Sequence, residues 1–180
     1  MKRKTKKPIQ LKLKLEGHRK KPQIQRLLGS NRKKNFHSFF RIKGKIIAEK
    51  RGEFFGTSTK KVEFFRLNEK GNPDSFALAQ GLLSPNPIKL KIDAPTKKLV
   101  NGKKFGLIRY ELLDLQKNKS FLKKGIGTQI LKSLEEMARK AGLELIYGTV
   151  IDSNIASQNA LKKQGYKNLK GSGTYYKILK

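Results

Sequence analysis

Two glycines one residue apart, followed at once by an amphipathic helix, constrain this chain more than any other feature. Gly125 and Gly127 open the helix, and Gly142 is expected to end it in the left-handed conformation. Helix N–H groups that glycines leave unshielded favour an anion such as phosphate, although a plain tight turn needs the same glycines. Apolar side chains recur at spacings of three and four, which predicts one buried face: Ile126, Ile130, Leu134, Met137 and Ala141.

The segments around this helix alternate between strand and helix patterns. Residues 105–115 and 143–151 are rich in apolar and β-branched residues, which predicts a buried strand on either side. A second helix is predicted to start at a cap formed by Asp152, Ser153 or Asn154 and to end at Gly165. A last strand is expected in residues 171–180. The predicted order is strand, glycine turn, helix, strand, helix, strand.

Two of these segments resemble the acetyl-CoA-binding half of the GNAT superfamily of N-acetyltransferases. The pyrophosphate loop of that family, Q/R-x-x-G-x-G/A, corresponds to residues 122–127, and its later segment, N-x-x-A/S-x-x-L-Y-E-K-x-G-F, corresponds to residues 154–166. The resemblance covers about residues 103–180. It implies a GNAT-like α/β (α+β) fold, in which helices flank a mixed, mostly antiparallel central sheet.

The resemblance also implies that acetyl-CoA is the co-substrate and that no metal takes part. The strand before the glycine turn is expected to polarise the acetyl carbonyl through an N–H group of residues 113–115. The implied acetyl-CoA-binding residues are Leu113, Leu115, Lys123, Lys124, Gly125, Ile126, Gly127, Thr128 and Asn154.

The chain departs from the family pattern at two positions. Leu122 replaces the Gln or Arg of the pyrophosphate loop, and Leu161 replaces the tyrosine that the family often uses as a general acid. Leucine cannot return a proton to the CoA thiolate. Tyr175 or Tyr176 could replace that acid, or water could do so; alternatively, the chain binds acetyl-CoA without efficient turnover.

Glu111 is the candidate general base, because it lies on the strand before the glycine turn and could deprotonate an ammonium directly or through water. An equally good interpretation is a strand carboxylate that pairs with a lysine. Glu53 and Glu63 are weaker candidates on the preceding strands.

The charge of the chain predicts a polyanionic partner, namely RNA, DNA or a ribosome-like particle. The net charge is +30, and residues 1–104 carry 29 basic and 7 acidic side chains. A generally lysine-rich proteome is the alternative, but it predicts an even distribution of charge. The candidate nucleic-acid-binding residues are Lys2, Arg3, Lys4, Lys6, Lys7, Arg19, Lys20, Lys21, Arg32, Lys33 and Lys34.

We expect residues 1–34 to form a basic N-terminal arm and residues 35–180 to form the GNAT-like domain. Within the arm, the alternating residues 9–15 are either a first strand of the fold or a segment that orders on a partner. Residues 93–104 are interpreted as a linker. The chain has no cysteine, no apolar run long enough for a membrane span and no signal-peptide pattern, so a cytoplasmic protein is expected. The predicted function is an N-acetyltransferase that acts on or near nucleic acid or a ribosome-like particle. The alternative is a nucleic-acid- or ribosome-binding protein that keeps the fold as a scaffold.

Overall fold

The computed structural model describes residues 36–42, 45–54, 57–69, 71–87, 92–113, 125–170 and 172–179. Within these residues an eight-stranded, mostly antiparallel sheet and three helices form a mixed α/β fold, which confirms the predicted fold class. The predicted basic arm and first strand, all eleven candidate nucleic-acid-binding residues, and Leu115, Leu122, Lys123 and Lys124 lie outside the described residues.

The sheet begins as an antiparallel meander and ends with one parallel pair. The strands are β1 (Ser38–Ile42), β2 (Lys45–Glu53), β3 (Lys60–Arg66), β4 (Ala79–Pro85), β5 (Phe105–Leu112), β6 (Leu145–Thr149), β7 (Lys167–Asn168) and β8 (Thr174–Ile178). Strands β1 to β5 follow one another in sequence and in space, and β3 and β4 pair as an antiparallel hairpin. Strand β6 is parallel to β5, and β8 lies between β6 and β7.

Two of the three described helices were predicted, and one was not. They are α1 (Ala94–Val100), α2 (Ile126–Lys140) and α3 (Ile155–Lys163). The interpretation of residues 93–104 as a linker is wrong for α1. The Asp93 carboxylate caps this helix by accepting a 2.6 Å hydrogen bond from the Thr96 N–H, and a proline lies in its first turn.

Helix α2 packs its apolar face on one side of the sheet, against β3, β4 and β5. Ile130 and Leu134 are fully buried there. Gly81 of β4 permits this close approach, since a Cβ atom at that position would lie 2.6 Å from Ile130 Cγ2. On the opposite side, Val100 of α1 packs with residues of β5 and β6 in a second apolar cluster.

Arg51 of β2 pairs with a buried carboxylate on its own strand and with a half-exposed carboxylate on α2. Glu49 is only 1% exposed, and it accepts 2.6 Å hydrogen bonds from the Arg51 guanidinium and the Ser38 hydroxyl. Arg51 also donates to Glu136 of α2 at 2.7 Å. That hydrogen bond, opposed by desolvation and supported by Lys140, lowers the pKa of Glu136 from 4.5 to about 2. The stabilisation from this carboxylate is therefore complete above pH 4.5 and is lost as the pH falls towards 2.

We predict that Arg51→Met destabilises the fold by about 3 kcal/mol at neutral pH, because it leaves Glu49 charged and buried without its cation. Urea denaturation measures this free energy of unfolding. Lys60→Met is the matched control. Lys60 of β3 pairs with Glu53 at the exposed end of β2, so this substitution is expected to cost less than about 1 kcal/mol. If Arg51→Met and Lys60→Met lowered the free energy of unfolding by the same amount, this would contradict a structural role for the buried pair.

Candidate functional site

Strands β5 and β6 separate soon after they pair, and this separation forms the candidate site. Their parallel register covers residues 105–107 of β5 and 145–147 of β6. Beyond it, β5 stays paired with β4 as far as Leu112, while β6 stays paired with β8 as far as Thr149. Each strand therefore keeps one hydrogen-bonded neighbour while a gap opens between the two.

A cavity of about 590 Å³ occupies this gap. It is lined by four consecutive residues of β5, Leu107 to Tyr110, and by Tyr147 to Ile151 at the end of β6. Successive side chains of a strand point to opposite faces of the sheet. The cavity is lined by side chains from both faces and therefore passes through the sheet. A molecule on one face can meet a molecule on the other.

The glycine turn lies beside this cavity at the start of α2. Gly125 has a φ of 90° and forms the N-cap, and no side chain caps the helix. A Cβ atom on Gly125 would meet nothing within 4 Å, and one on Gly127 would lie 3.8 Å from Tyr110 Cε2. The first turn of α2 can therefore present its main-chain N–H groups to an anion. The pyrophosphate-binding role of Gly125, Ile126, Gly127 and Thr128 stays a prediction.

Helix α3 brings Asn154 and Ser157 to the cavity. The Asn154 side chain caps α3 by accepting a 3.1 Å hydrogen bond from the Ser157 N–H, which selects Asn154 among the three candidate caps. The same helix places Leu161, which is 1% exposed, in the apolar core at the cavity wall. The family's tyrosine position is therefore an apolar surface in this chain.

Tyr110 is a site residue that the sequence analysis missed. Its hydroxyl lies 3.5 Å from the Ser157 carbonyl oxygen, so its side chain reaches from β5 to α3 across one end of the cavity. Burial raises the pKa of Tyr110 above its ordinary value, and the weak contact with Ser157 opposes that shift. The phenol is therefore protonated throughout the physiological pH range.

Tyr175 and Tyr176, the tyrosines that the sequence suggests as replacement acids, lie elsewhere. The Tyr175 hydroxyl donates a 3.2 Å hydrogen bond to Gln158 Oε1, and Tyr175 is not among the residues that line the cavity. Tyr176 packs against the second apolar cluster, beside Val100 and Leu107. Neither tyrosine is brought to the gap between β5 and β6.

Polar side chains line the end of the cavity beside α1. Asp93, Arg109 and Tyr147 are found there, with the hydrogen-bonded pair Thr96 and Thr174. The pKa of Tyr147 is raised by burial and by the Asp93 carboxylate, while Arg109 opposes the shift. Asp93 is the acidic side chain that lines the cavity among the described residues.

Glu111 lies next to the cavity but not in its lining. It is exposed on β5, pairs in register with Gln80 of β4 and accepts a hydrogen bond from the Gln80 amide. On the neighbouring strands, Glu63 pairs with Lys61 and Glu53 pairs with Lys60. The structure thus places Glu111 nearer to the gap than the two weaker candidates, and its role as a base stays a prediction.

The main-chain N–H group expected to polarise the acetyl carbonyl is predicted in residues 113–115, and the structure shows where the first of these N–H groups points. The Leu113 N–H donates a 2.9 Å hydrogen bond to the Leu78 carbonyl, on the side of β5 away from the gap. Because main-chain groups of a strand alternate in direction, the N–H of Leu112 points towards the gap. Leu112 is therefore better placed than Leu113 for this role.

Comparison with known proteins finds one family model that matches part of the chain. The acetyltransferase (GNAT) family model matches residues 99–166, which include β5, α2, β6 and α3. The predicted resemblance to the GNAT family is therefore confirmed for this part of the chain. No curated protein matches the sequence.

Of three solved structures that resemble the chain, one has a TM-score above 0.5 and shares the fold. The chain is similar to the cAMP-binding acyltransferase from Mycobacterium smegmatis, with a TM-score of 0.52 and 10% identity over 93% of this chain and 54% of that protein. It thus spans about half the length of that enzyme. RimJ of the same organism, in complex with CoA-disulfide, has a TM-score of 0.47 and 11% identity over 78% of this chain and 86% of its own. A GNAT-family acetyltransferase from Staphylococcus aureus has a TM-score of 0.44 and 14% identity, with coverages of 71% and 72%.

Two other features are absent from the described part of the chain. There, no helix is both long and apolar enough to cross a membrane. No group of three or more His, Asp or Glu side chains is arranged to hold a metal ion in that part.

We predict that Gly127→Glu abolishes binding of acetyl-CoA, because it adds a side chain and a negative charge where the helix N–H groups would hold pyrophosphate. Isothermal titration calorimetry measures the affinity. Gly52→Glu makes the same change on β2, where an added Cβ would meet nothing within 4 Å, and is expected to bind as the wild type does. Binding that survives Gly127→Glu would contradict this location for the anion.

Proposed function

We propose that this protein is an N-acetyltransferase that transfers the acetyl group of acetyl-CoA to an amine by direct attack, on or near nucleic acid or a ribosome-like particle. The observation that carries the proposal is the cavity through the sheet between β5 and β6. It would let acetyl-CoA and the amine approach the same point from two faces. The GNAT match over residues 99–166 supports the acyl-transfer class.

The residues present fit acetyl-CoA. The glycine turn at α2 offers uncapped N–H groups for pyrophosphate, and Asn154 lies at the cavity wall. The edges of the separated strands offer main-chain donors and acceptors for the amide-containing arm of CoA. Bound there, acetyl-CoA supplies an activated thioester.

The protein's own contribution is mainly positional. Orientation of two reactants is worth about 7–11 kcal/mol, and a general base adds about 10²–10⁴-fold. Glu111 is the proposed base, while Asp93 lies in the cavity lining and is the competing candidate. Leu112 or a neighbouring residue would direct its N–H to the acetyl oxygen.

A binding protein without efficient catalysis is the second candidate function. It is favoured by Leu161, which forms a buried apolar wall where the family often has its acid. In this alternative, acetyl-CoA binding would be weak or vestigial, and the basic residues would carry the function.

We propose that residues 1–34 are a polyanion-binding arm and that residues 35–180 form the acetyltransferase domain. The arm holds fourteen basic residues and one acid, Glu16, and contains no aromatic residue. It could therefore bind phosphates but could not stack bases, so binding would tolerate any sequence.

Glu111→Gln is expected to lower kcat by at least about 10²-fold at neutral pH and to leave acetyl-CoA affinity unchanged, because it removes only the base. The assay measures CoA release with polyamines, lysine peptides and ribosomal-protein N-terminal peptides as acceptors.

Asp93→Asn is the matched comparison. Asparagine caps a helix as well as aspartate does, so α1 should persist while the carboxylate is lost. A large loss of kcat in Asp93→Asn with normal turnover in Glu111→Gln would transfer the role of base to Asp93. Absence of acetylation with every acceptor, despite tight acetyl-CoA binding, would favour the second candidate function.

The affinity of the full-length protein for RNA or DNA is expected to fall by about 10³–10⁵-fold between 50 and 200 mM salt, if about 6–10 phosphates are neutralised. Fluorescence anisotropy with labelled oligonucleotides of unrelated sequence measures this dependence.

Deletion of residues 1–7 removes five basic residues and should make the salt dependence shallower without changing acetyl-CoA affinity. This short deletion keeps residues 9–15, which are predicted to form a strand. A shallow salt dependence in the full-length protein would overturn the proposed polyanion partner.

A further inference from the structure

The cavity holds one phenol on the side of the sheet where α2 and α3 pack. Tyr110 packs against the main apolar core, and its ring lies beside the glycine turn of α2, 3.8 Å from the position of a Cβ at Gly127. Its hydroxyl lies at the first turns of α3, 3.5 Å from the Ser157 carbonyl. Tyr110 therefore spans the space between the proposed pyrophosphate site and the cap residue Asn154.

The hydroxyl is weakly held, which leaves it able to bind another acceptor. A separation of 3.5 Å is at the outer limit of a hydrogen bond, whereas O–H donors usually lie 2.5–3.0 Å from their acceptors. Tyr110 is among the residues that line the cavity, so the phenol lies at the cavity wall. The Tyr175 hydroxyl differs, because it donates a shorter hydrogen bond, of 3.2 Å, to Gln158 Oε1.

The surroundings of Tyr110 keep it in the neutral, proton-donating form. Burial raises its pKa, and the contact from α3 is a main-chain carbonyl rather than a charge. The titratable neighbour that interacts with it electrostatically is Tyr166, whose pKa is itself raised by burial and by Glu135 of α2. Gly127, at the start of α2, brings no charge.

We propose that Tyr110 is the proton donor to the sulfur of CoA, so that the strand β5 supplies the acid that is missing from α3 at Leu161. This inference rests on the proposed acetyltransferase function. As the new C–N bond forms and the thioester C–S bond breaks, the amine nitrogen loses its proton to the base or to water. The Tyr110 hydroxyl gives its proton to the departing thiolate, and the phenolate then regains one from solvent. Amine and acetyl-CoA are thereby converted to amide and CoA thiol.

The test measures the thiol pKa of CoA bound to the protein, which needs no knowledge of the acceptor. CoA carrying ¹³C at the carbon bonded to sulfur reports thiol ionisation by its NMR shift during a pH titration. A donor aimed at the sulfur stabilises the thiolate, so Tyr110→Phe should raise the bound thiol pKa by about 1–2 pH units. The phenylalanine keeps the packed ring, and we expect the fold and the CoA affinity to be retained.

Tyr175→Phe is the matched control, because it removes a phenol of the neighbouring core that does not line the cavity. The bound thiol should titrate as in the wild type. With any amine that the wild type acetylates, Tyr110→Phe should also lower kcat by about 10²-fold and leave the KM for acetyl-CoA unchanged.

The outcomes separate this inference from the proposed function. If the wild type binds CoA and Tyr110→Phe leaves the thiol pKa unchanged, the inference is overturned while the acetyltransferase proposal stands. An equal rise in Tyr175→Phe would also overturn it, since the effect would then be general to the core. If the folded wild type does not bind CoA, both proposals fail.

Discussion

The separation of β5 from β6 is the constraint on which the rest of the structure depends. Main-chain groups that lose a partner inside a protein are costly unless another partner is found. Here β5 retains β4 and β6 retains β8, so each strand is held by antiparallel pairing on its far side. The edges of β5 and β6 that face the gap are therefore stable without a neighbouring strand. Their main-chain N–H and C=O groups can bind a ligand that carries amides of its own.

Two packing arrangements hold this gap open. On one face, α2 is seated closely because Gly81 has no side chain, and Arg51 joins it to β2 through Glu136. On the other face, the buried hydroxyls of Thr96 and Thr174 meet at 3.0 Å and attach α1 to β8. The helices thus brace both faces of the sheet next to the gap without filling it.

Elements whose signals are local could be predicted from the sequence, and features that depend on packing could not. The 3.6-residue period, the glycines at positions 125 and 142 and the cap at Asn154 act within one turn of helix, so α2 and α3 could be predicted. Helix α1 has only seven residues, too few to display a period, although its Asp93 cap and its proline were present. Which face of β5 is covered by α2 depends on packing between segments distant in sequence. The position of Tyr110 beside the glycine turn, 3.8 Å from a Cβ atom at Gly127, therefore could not be predicted from the sequence.

Tyr110 and Leu161 illustrate how a site can change its side chains while it keeps its shape. A proton donor must only reach the reacting atom, and the element that carries it is not fixed by the chemistry. Leu161 is 1% exposed and contributes its volume to the core, so it stabilises α3 against the sheet. Tyr110 lines the same cavity from β5, where its ring packs on the core and its hydroxyl lies 3.5 Å from the Ser157 carbonyl oxygen. The loss of a family tyrosine from α3 is consequently weak evidence for loss of catalysis, because β5 offers a phenol to the same space.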